Sequence, residues 1–289
     1  MNPRSLLERF TTDQEVLDSI PSGHTKNMNK SILNKLSERW SNAGINKGDI
    51  VLLHSDIKRL LLDLKSDGIK LDIKIIIDSF LDSIGLDGTL IMPLFNFGFT
   101  KGETFNINST PSKMGILTEF FRKNFKILRT GHPIYSFAVI GKEYKKFSNV
   151  DNYSGYAENS PFGILKKLNG KIAILDLEDQ NAMTFYHHVE EVHKVEYRYF
   201  KKFTGNYVDK KLNEKSKTYS LFVRNLELGI TTHVNPAGEL LWKEGLYKGD
   251  KPFVKSGLRT IKSNQLFNFI SHIIKTGKAE NILYKKNKI

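Results

Sequence analysis

The densest group of side chains able to move a proton is the stretch from Thr184 to His193, with His187, His188, Glu190, Glu191 and His193 inside ten residues. On a helix, Thr184, His187 and Glu190 are three apart and share one face. A carboxylate one turn from an imidazole accepts a hydrogen bond from one ring nitrogen. That fixes the tautomer and raises the basicity of the other nitrogen, as a general base requires. The same spacing also suits a plain His–Glu pair on a helix surface. Metal ligation is a third use of these residue types. The HExxH pattern is absent, however, and His193 leaves the face of His187, so no metal is expected.

Two further histidines stand beside expected strand ends, His54 with Ser55 and His132 with Pro133. Ligands of α/β sheets gather at the carboxyl ends of strands, which places His54-Ser55 well; each histidine is also compatible with a hydrogen-bonded structural role. Ser109-Thr110-Pro111-Ser112-Lys113-Met114-Gly115 sets hydroxyls, a proline and a glycine just before or at an expected helix start. Free N–H groups and the positive dipole end at such a terminus suit a phosphate or an amide.

The elements that must position these groups follow from periodicity. Ile32, Leu33, Leu36, Trp40 and Ala43 mark one helical face with Gly44 as its stop, and Ile73, Ile76, Ile77, Phe80, Leu81 and Ile84 mark another. Further helices are expected from about Ser112 to Lys123, from Ser160-Pro161, from about Ala182 to Val195, and from Ser263. Apolar runs at 50–54, 89–92, 136–140, 171–176 and 219–223 read as strands, and the charged segment 209–217 as a hairpin or excursion. Strands alternating with helices predict a three-layer α/β/α fold around a mostly parallel or mixed sheet. Residues 1–28 read as an N-terminal extension and 29–289 as one domain, since no linker or repeat divides them.

The chain has no cysteine, which removes disulfides, thiolate metal sites and any cysteine nucleophile together. No apolar run reaches membrane-spanning length, and the early acidic residues Glu8, Asp13 and Glu15 do not suit a secretory signal, so a soluble cytoplasmic protein with no membrane partner is expected. The 44 basic and 31 acidic residues leave a net charge of +13. This suits either a lysine-rich surface or an anionic partner. The charge is spread rather than gathered into an arm, which argues against nucleic acid.

Taken in order, His54-Ser55, Asp87 to Pro93, Ser109 to Leu117, His132 to Ser136, Ser160 to Gly163 and Thr184 to Glu190 resemble the aminoglycoside 3-N-acetyltransferase family. Members show a His-Ser strand end, then DGTLxMP, TPSxMGxL, HPxxS, SPFG and TxxHxxE, and the likeness runs from about residue 30 to 275. The resemblance implies an α/β/α fold unlike that of GNAT acetyltransferases, and direct transfer of acetyl from acetyl-CoA to an amine. It implies His187 as catalytic base with Glu190 as its partner, and acetyl-CoA held by His54, Ser55, Ser109, Thr110, Ser112, Met114, Gly115, His132 and Ser136. Asp56, Thr184, Tyr197 and Arg198 are expected at the substrate. Many drug-modifying members carry an aspartate before the TxxH helix, where this chain has Gln180-Asn181.

The substrate expected from charge is a nucleotide-linked amino-deoxy sugar for surface polysaccharide synthesis, with an aminoglycoside as the alternative and a non-catalytic binding protein as a third. The basic residues Lys194, Arg198, Lys201, Lys202, Lys210 and Lys211 interleave with Tyr197, Tyr199, Phe200, Phe203 and Tyr207. Such a stretch suits a base and a diphosphate, or equally a solvated face over core aromatics. Intact Thr184, His187 and Glu190 argue against a silent binder.

Overall fold

The structure is a computed structural model, and it describes residues 23–66 and 72–287. Of the expected extension, residues 1–22 lie outside the described residues, while 23–28 already belong to the first helix.

Twelve strands occur among the described residues. They are β1 (Ile50–Ser55), β2 (Thr89–Pro93), β3 (Phe105–Asn106), β4 (Leu128–Arg129), β5 (Phe137–Gly141), β6 (Lys171–Leu175), β7 (Arg198–Val208), β8 (Glu214–Arg224), β9 (Ile230–Thr232), β10 (Lys248–Gly249), β11 (Leu258–Lys262) and β12 (Tyr284–Lys286). The α-helices are α1 (Gly23–Asn42), α2 (Lys58–Ser66), α3 (Ile73–Ile84), α4 (Ile116–Asn124), α5 (Pro161–Lys167), α6 (Asp179–Ala182), α7 (Phe185–Val192), α8 (Asn235–Lys243) and α9 (Ser263–Lys275).

Seven strands form the main sheet in the order β10-β11-β6-β1-β2-β5-β4. Its centre, β6-β1-β2, is parallel, while β10, β11, β5 and β4 pair antiparallel with their neighbours. The sheet is therefore mixed. Its strands read as continuous apolar runs because both faces are buried. Val51, Leu53, Leu90, Met92, Ala173 and Leu175 face the layer of α1, α2, α3 and α4. The alternate residues Leu52, Ile91, Phe137, Ile172 and Ile174 face α5, α7, α8 and α9. This is the expected three-layer α/β/α arrangement. In the first layer, Trp40 of α1 stacks on Phe80 of α3 at 4.6 Å between ring centroids, and its indole N–H donates to the Ser79 hydroxyl at 2.8 Å.

The observed elements differ from the periodicity in four places. The helix expected from Ser112 starts at Ile116, because Ser112 Oγ accepts from Met114 N and shapes a turn that Gly115, at φ 103°, completes. The helix expected over 182–195 is broken at Met183–Thr184 into α6 and α7. The charged segment 209–217 is the tip and return of a long ribbon, β7 against β8, whose first strand the sequence analysis missed. Most side chains of β7 are exposed or half-buried, so no clean alternation marks it. Strand β11, which borders β6, was also missed, its pattern broken by the buried Arg259.

Candidate active site

Helix α7 begins just after the break at Thr184, and its apolar side locks into the core through Phe185, Tyr186 and Val189. That leaves Thr184 and His187 half-exposed on the other side, one turn apart, and Thr184 makes no capping hydrogen bond. Glu190, a turn further, is buried. His187 Nδ1 lies 2.8 Å from Glu190 Oε2, so the helical spacing delivers the expected pair. The ring is 20% exposed and the carboxylate 1%. Tyr156 packs edge-on against the imidazole at 5.2 Å, and Nε2 has no hydrogen-bond partner among the described residues.

The third member of this group comes from β7. Arg198 Nε sits 2.7 Å from Glu190 Oε2, and its Nη1 donates to the Phe222 carbonyl at 3.1 Å. Burial opposes ionisation of Glu190, but the Arg198 charge and the His187 contact outweigh it and hold the carboxyl below its ordinary range. Burial, then Arg198, lowers the His187 pKa, and Glu190 only partly offsets them. A neutral imidazole with an unoccupied Nε2, backed by a buried carboxylate, is equipped to take a proton at neutral pH.

A cavity of about 610 Å³ opens at the carboxyl ends of β1 and β2. His54, Ser55, Asp56, Met114, Gly115 and Asn181 line it, so six residues from three separate segments meet there. Lys58, Lys65 and Lys113 supply positive charge, and Leu61, Leu62 and Leu117 supply apolar wall. Ser55 Oγ is buried and has no hydrogen-bond partner among the described residues. A phosphorylated cofactor with an uncharged, amide-containing arm fits that chemistry: cations for phosphate, apolar wall for the arm, and an unmatched hydroxyl for a carbonyl. Among the described residues no group of three or more His, Cys, Asp or Glu side chains is placed to hold a metal ion. His187 is not part of the cavity lining. The aromatic row Phe95, Tyr135 and Tyr156 runs between His54 and His187, each ring within 6.4 Å of the next.

Several expected contacts are placed elsewhere. His132 is fully buried, and its Nδ1 accepts from the backbone N–H groups of Ile134 and Tyr135 at 3.2 and 3.0 Å. Burial pushes its pKa down to about 3, as burial beside Arg259 takes that of His54 to about 4. Ser136 is equally buried, accepting from Arg129 Nε and donating to the Leu94 carbonyl. Both shape the turn into β5 and offer no surface to a cofactor. Ser109 and Thr110 belong to the loop after β3, where Thr110 Oγ1 accepts from Asn106 N at 2.8 Å. Ser112 spends its hydroxyl on the turn before α4 and does not line the cavity. Arg198 and Tyr197, expected at the substrate, turn inward. Arg198 is bound to Glu190, and Tyr197 stacks on Tyr284 at 4.0 Å with its hydroxyl buried beside Glu190. Burial of Tyr207, whose hydroxyl donates to the Gly131 carbonyl, likewise divides the basic aromatic stretch between core and surface.

Sequence reasoning missed two features. Tyr156, which supports the His187 ring, carries no local signal. Asp179 is buried and accepts from Tyr186 Oη at 2.6 Å, Tyr247 Oη at 2.7 Å and Arg259 Nη2 at 2.7 Å, joining α6, α7, β11 and the loop after α8. The acidic pair Glu178-Asp179 just before Gln180-Asn181 was its only trace.

The family model described as aminoglycoside 3-N-acetyltransferase matches residues 52–275. The YokD protein of Bacillus subtilis (strain 168), described as an SPbeta prophage-derived aminoglycoside N(3')-acetyltransferase-like protein, is 24% identical over 174 residues. That match takes in 52% of this chain and 62% of the relative, less than two thirds of its length. Among solved structures, AAC-IIIb with CoASH superposes with a TM-score of 0.71 at 16% identity, over 85% of this chain and 96% of that one. The crystal structure of YokD gives 0.69 at 21%, over 86% and 95%, and sisomicin-bound AAC-VIa gives 0.65 at 17%, over 85% and 98%. The fold is that of these proteins and, with its family model matched over most of its length, this chain belongs to the aminoglycoside 3-N-acetyltransferase family.

Proposed function

We propose that the protein is an acyl-CoA-dependent N-acetyltransferase whose acceptor is a primary amine of an aminoglycoside-type amino sugar. The observation that carries this reading is the half-exposed His187, backed by the buried Glu190 and joined through the rings of Tyr156, Tyr135 and Phe95 to His54 in a cavity whose cations and apolar wall suit acetyl-CoA. Acetyl-CoA supplies an activated acyl group. An alkylammonium has no lone pair, so the acceptor loses one proton to solvent to become the free amine. As it attacks, His187 Nε2 takes the second proton from the nitrogen, and the C–S bond breaks with loss of CoA thiolate. The Ser55 hydroxyl, unmatched in the cavity, is available to donate to the acyl oxygen. Transfer is direct, as a chain without cysteine requires of any thiol route.

The acceptor is chosen on kinship. The matched family is described by aminoglycosides, and one neighbour is titled as bound to sisomicin. This reverses the ranking drawn from net charge alone, where a nucleotide-linked sugar came first. One observation keeps that sugar as the second reading: the charges acting on His187 include Arg198 and Arg224, a poor setting for a polycation. Thiol release from acetyl-CoA, measured against free aminoglycosides and nucleotide-linked amino sugars, decides between them. Turnover confined to aminoglycosides supports the first reading and turnover confined to nucleotide sugars the second. CoA release with neither removes both.

A further inference from the structure

At the far edge of the main sheet lies a cavity of about 780 Å³ that the acetyl-transfer chemistry does not use. It borders Val139 to Gly141, which pair with Ile91 to Thr89 at the start of β2, whereas the first cavity takes Pro93 from the end of that strand. The two sites therefore sit at opposite ends of the strands.

Four cations line this second cavity, Arg122, Lys126, Arg129 and Lys210, and among the described residues no carboxylate does. Arg122 is matched by Glu119 at 2.7 Å, and it and Lys126 follow the pattern of basic residues at a helix C-terminus. Arg129 is different. It comes from β4 and is only 6% exposed; Nε donates to Ser136, and Nη1 to the carbonyls of Ile107 and Thr110. Among the described residues its buried Nη2 has no acceptor and its guanidinium forms no ion pair. The Phe105 ring 4.9 Å away accounts for part of its charge but gives no lone pair to Nη2. A buried guanidinium without a counterion is costly, and a neighbouring cation makes it more so. Arg122 bears on Arg129 and, with burial first, lowers its pKa to about 10. An anion between them would relieve both charges and meet the unmatched nitrogen. The remaining wall is largely apolar, with Ile127, Val139 and the half-exposed ring of Tyr144 beside the polar Asn108.

We propose that this cavity is a second binding site, for a phosphorylated small molecule with a flat or apolar body, whose phosphate is held by Arg129, Arg122, Lys126 and Lys210. The site is independent of acetyl transfer. Its test holds whether or not the protein proves to be a transferase.

Phenyl phosphate is the probe, with phenol and inorganic phosphate as controls, titrated into the full chain by calorimetry with and without saturating CoA. The expected result is one saturable site that persists in CoA, weakens with salt, is weaker for inorganic phosphate and is absent for phenol. Lys126→Glu with Lys210→Glu, both exposed, should weaken binding at least tenfold, and Arg129→Lys, checked for fold by circular dichroism, should weaken it as well. Absence of saturable binding overturns the proposal, as does loss of binding in CoA, which would assign the phosphate to the first cavity. Unchanged affinity in the double variant overturns it too.

Discussion

Arg198 Nη2 lies 2.9 Å from His187 Nδ1, the nitrogen that Glu190 Oε2 approaches to 2.8 Å. One ring nitrogen cannot donate to the carboxylate and accept from the guanidinium together. Glu190 is an anion with its charge held by Arg198, so we assign the proton to Nδ1 and the lone pair to Nε2. Arg198 then acts on the imidazole as a charge, while the ion pair keeps the carboxylate ionised in the core.

Rate should follow from that assignment. His187→Ala is expected to lower turnover by about 10²- to 10⁴-fold, the usual worth of a positioned base, with CoA binding retained. Glu190→Gln keeps the shape and loses the charge, so a smaller loss is expected. Steady-state kinetics on variants with native circular dichroism checks this, and near-normal turnover of folded His187→Ala would remove the assignment.

The pH profile separates Arg198 from Glu190. A base with a lowered pKa is active once pH exceeds that value, so activity should reach its plateau below the ordinary histidine range. Removing the cation in Arg198→Met lets the His187 pKa rise and moves the acidic limb to higher pH, and Arg198→Lys moves it back in part. Glu190→Gln, which removes the raising influence, shifts it the opposite way. Limbs that stay fixed in all three variants would show that His187 does not set the profile.

Acid should unfold the protein through its buried histidines. His54 and His188 have pKa values lowered to about 4 and His132 to about 3, chiefly by burial. Between about pH 6.5 and 4 the unfolded chain binds these protons and the folded chain does not, so stability falls as pH falls. Three such groups contribute about 4 kcal/mol per pH unit near pH 5.5. Urea unfolding at a series of pH values measures this; a flat dependence from pH 6.5 to 5 would contradict it.

The Asp179 network is expected to matter for stability. Asp179→Ala strips Arg259 and two tyrosine hydroxyls of their shared acceptor and should cost about 3–5 kcal/mol, as breaking a buried ion pair does. Gly238→Ala tests the same place, since a Cβ there would lie 2.7 Å from Asp179 Cγ. Thermal melts of both variants measure the loss, and unchanged midpoints would show the network to be dispensable.

Sequence alone determined what depends on local geometry. His187 and Glu190 meet because three residues on a helix span less than one turn, and the buried strands and α3 announce themselves because apolar period follows burial. Ser160 capping α5 is equally local. What lay across elements was decided only by tertiary structure. Arg198 reaches Glu190 because the turn between α7 and β7 folds back, with Val195 N donating to the Glu190 carbonyl and Arg198 N to the Val195 carbonyl, and nothing in its own neighbours marks it as an inward charge. Whether His132 and Ser136 face a ligand or the core depended on how the turn before β5 closes against Arg129 and the backbone. A side chain's partners are set by strands and helices distant in the chain, and residue type with spacing carries no measure of that distance.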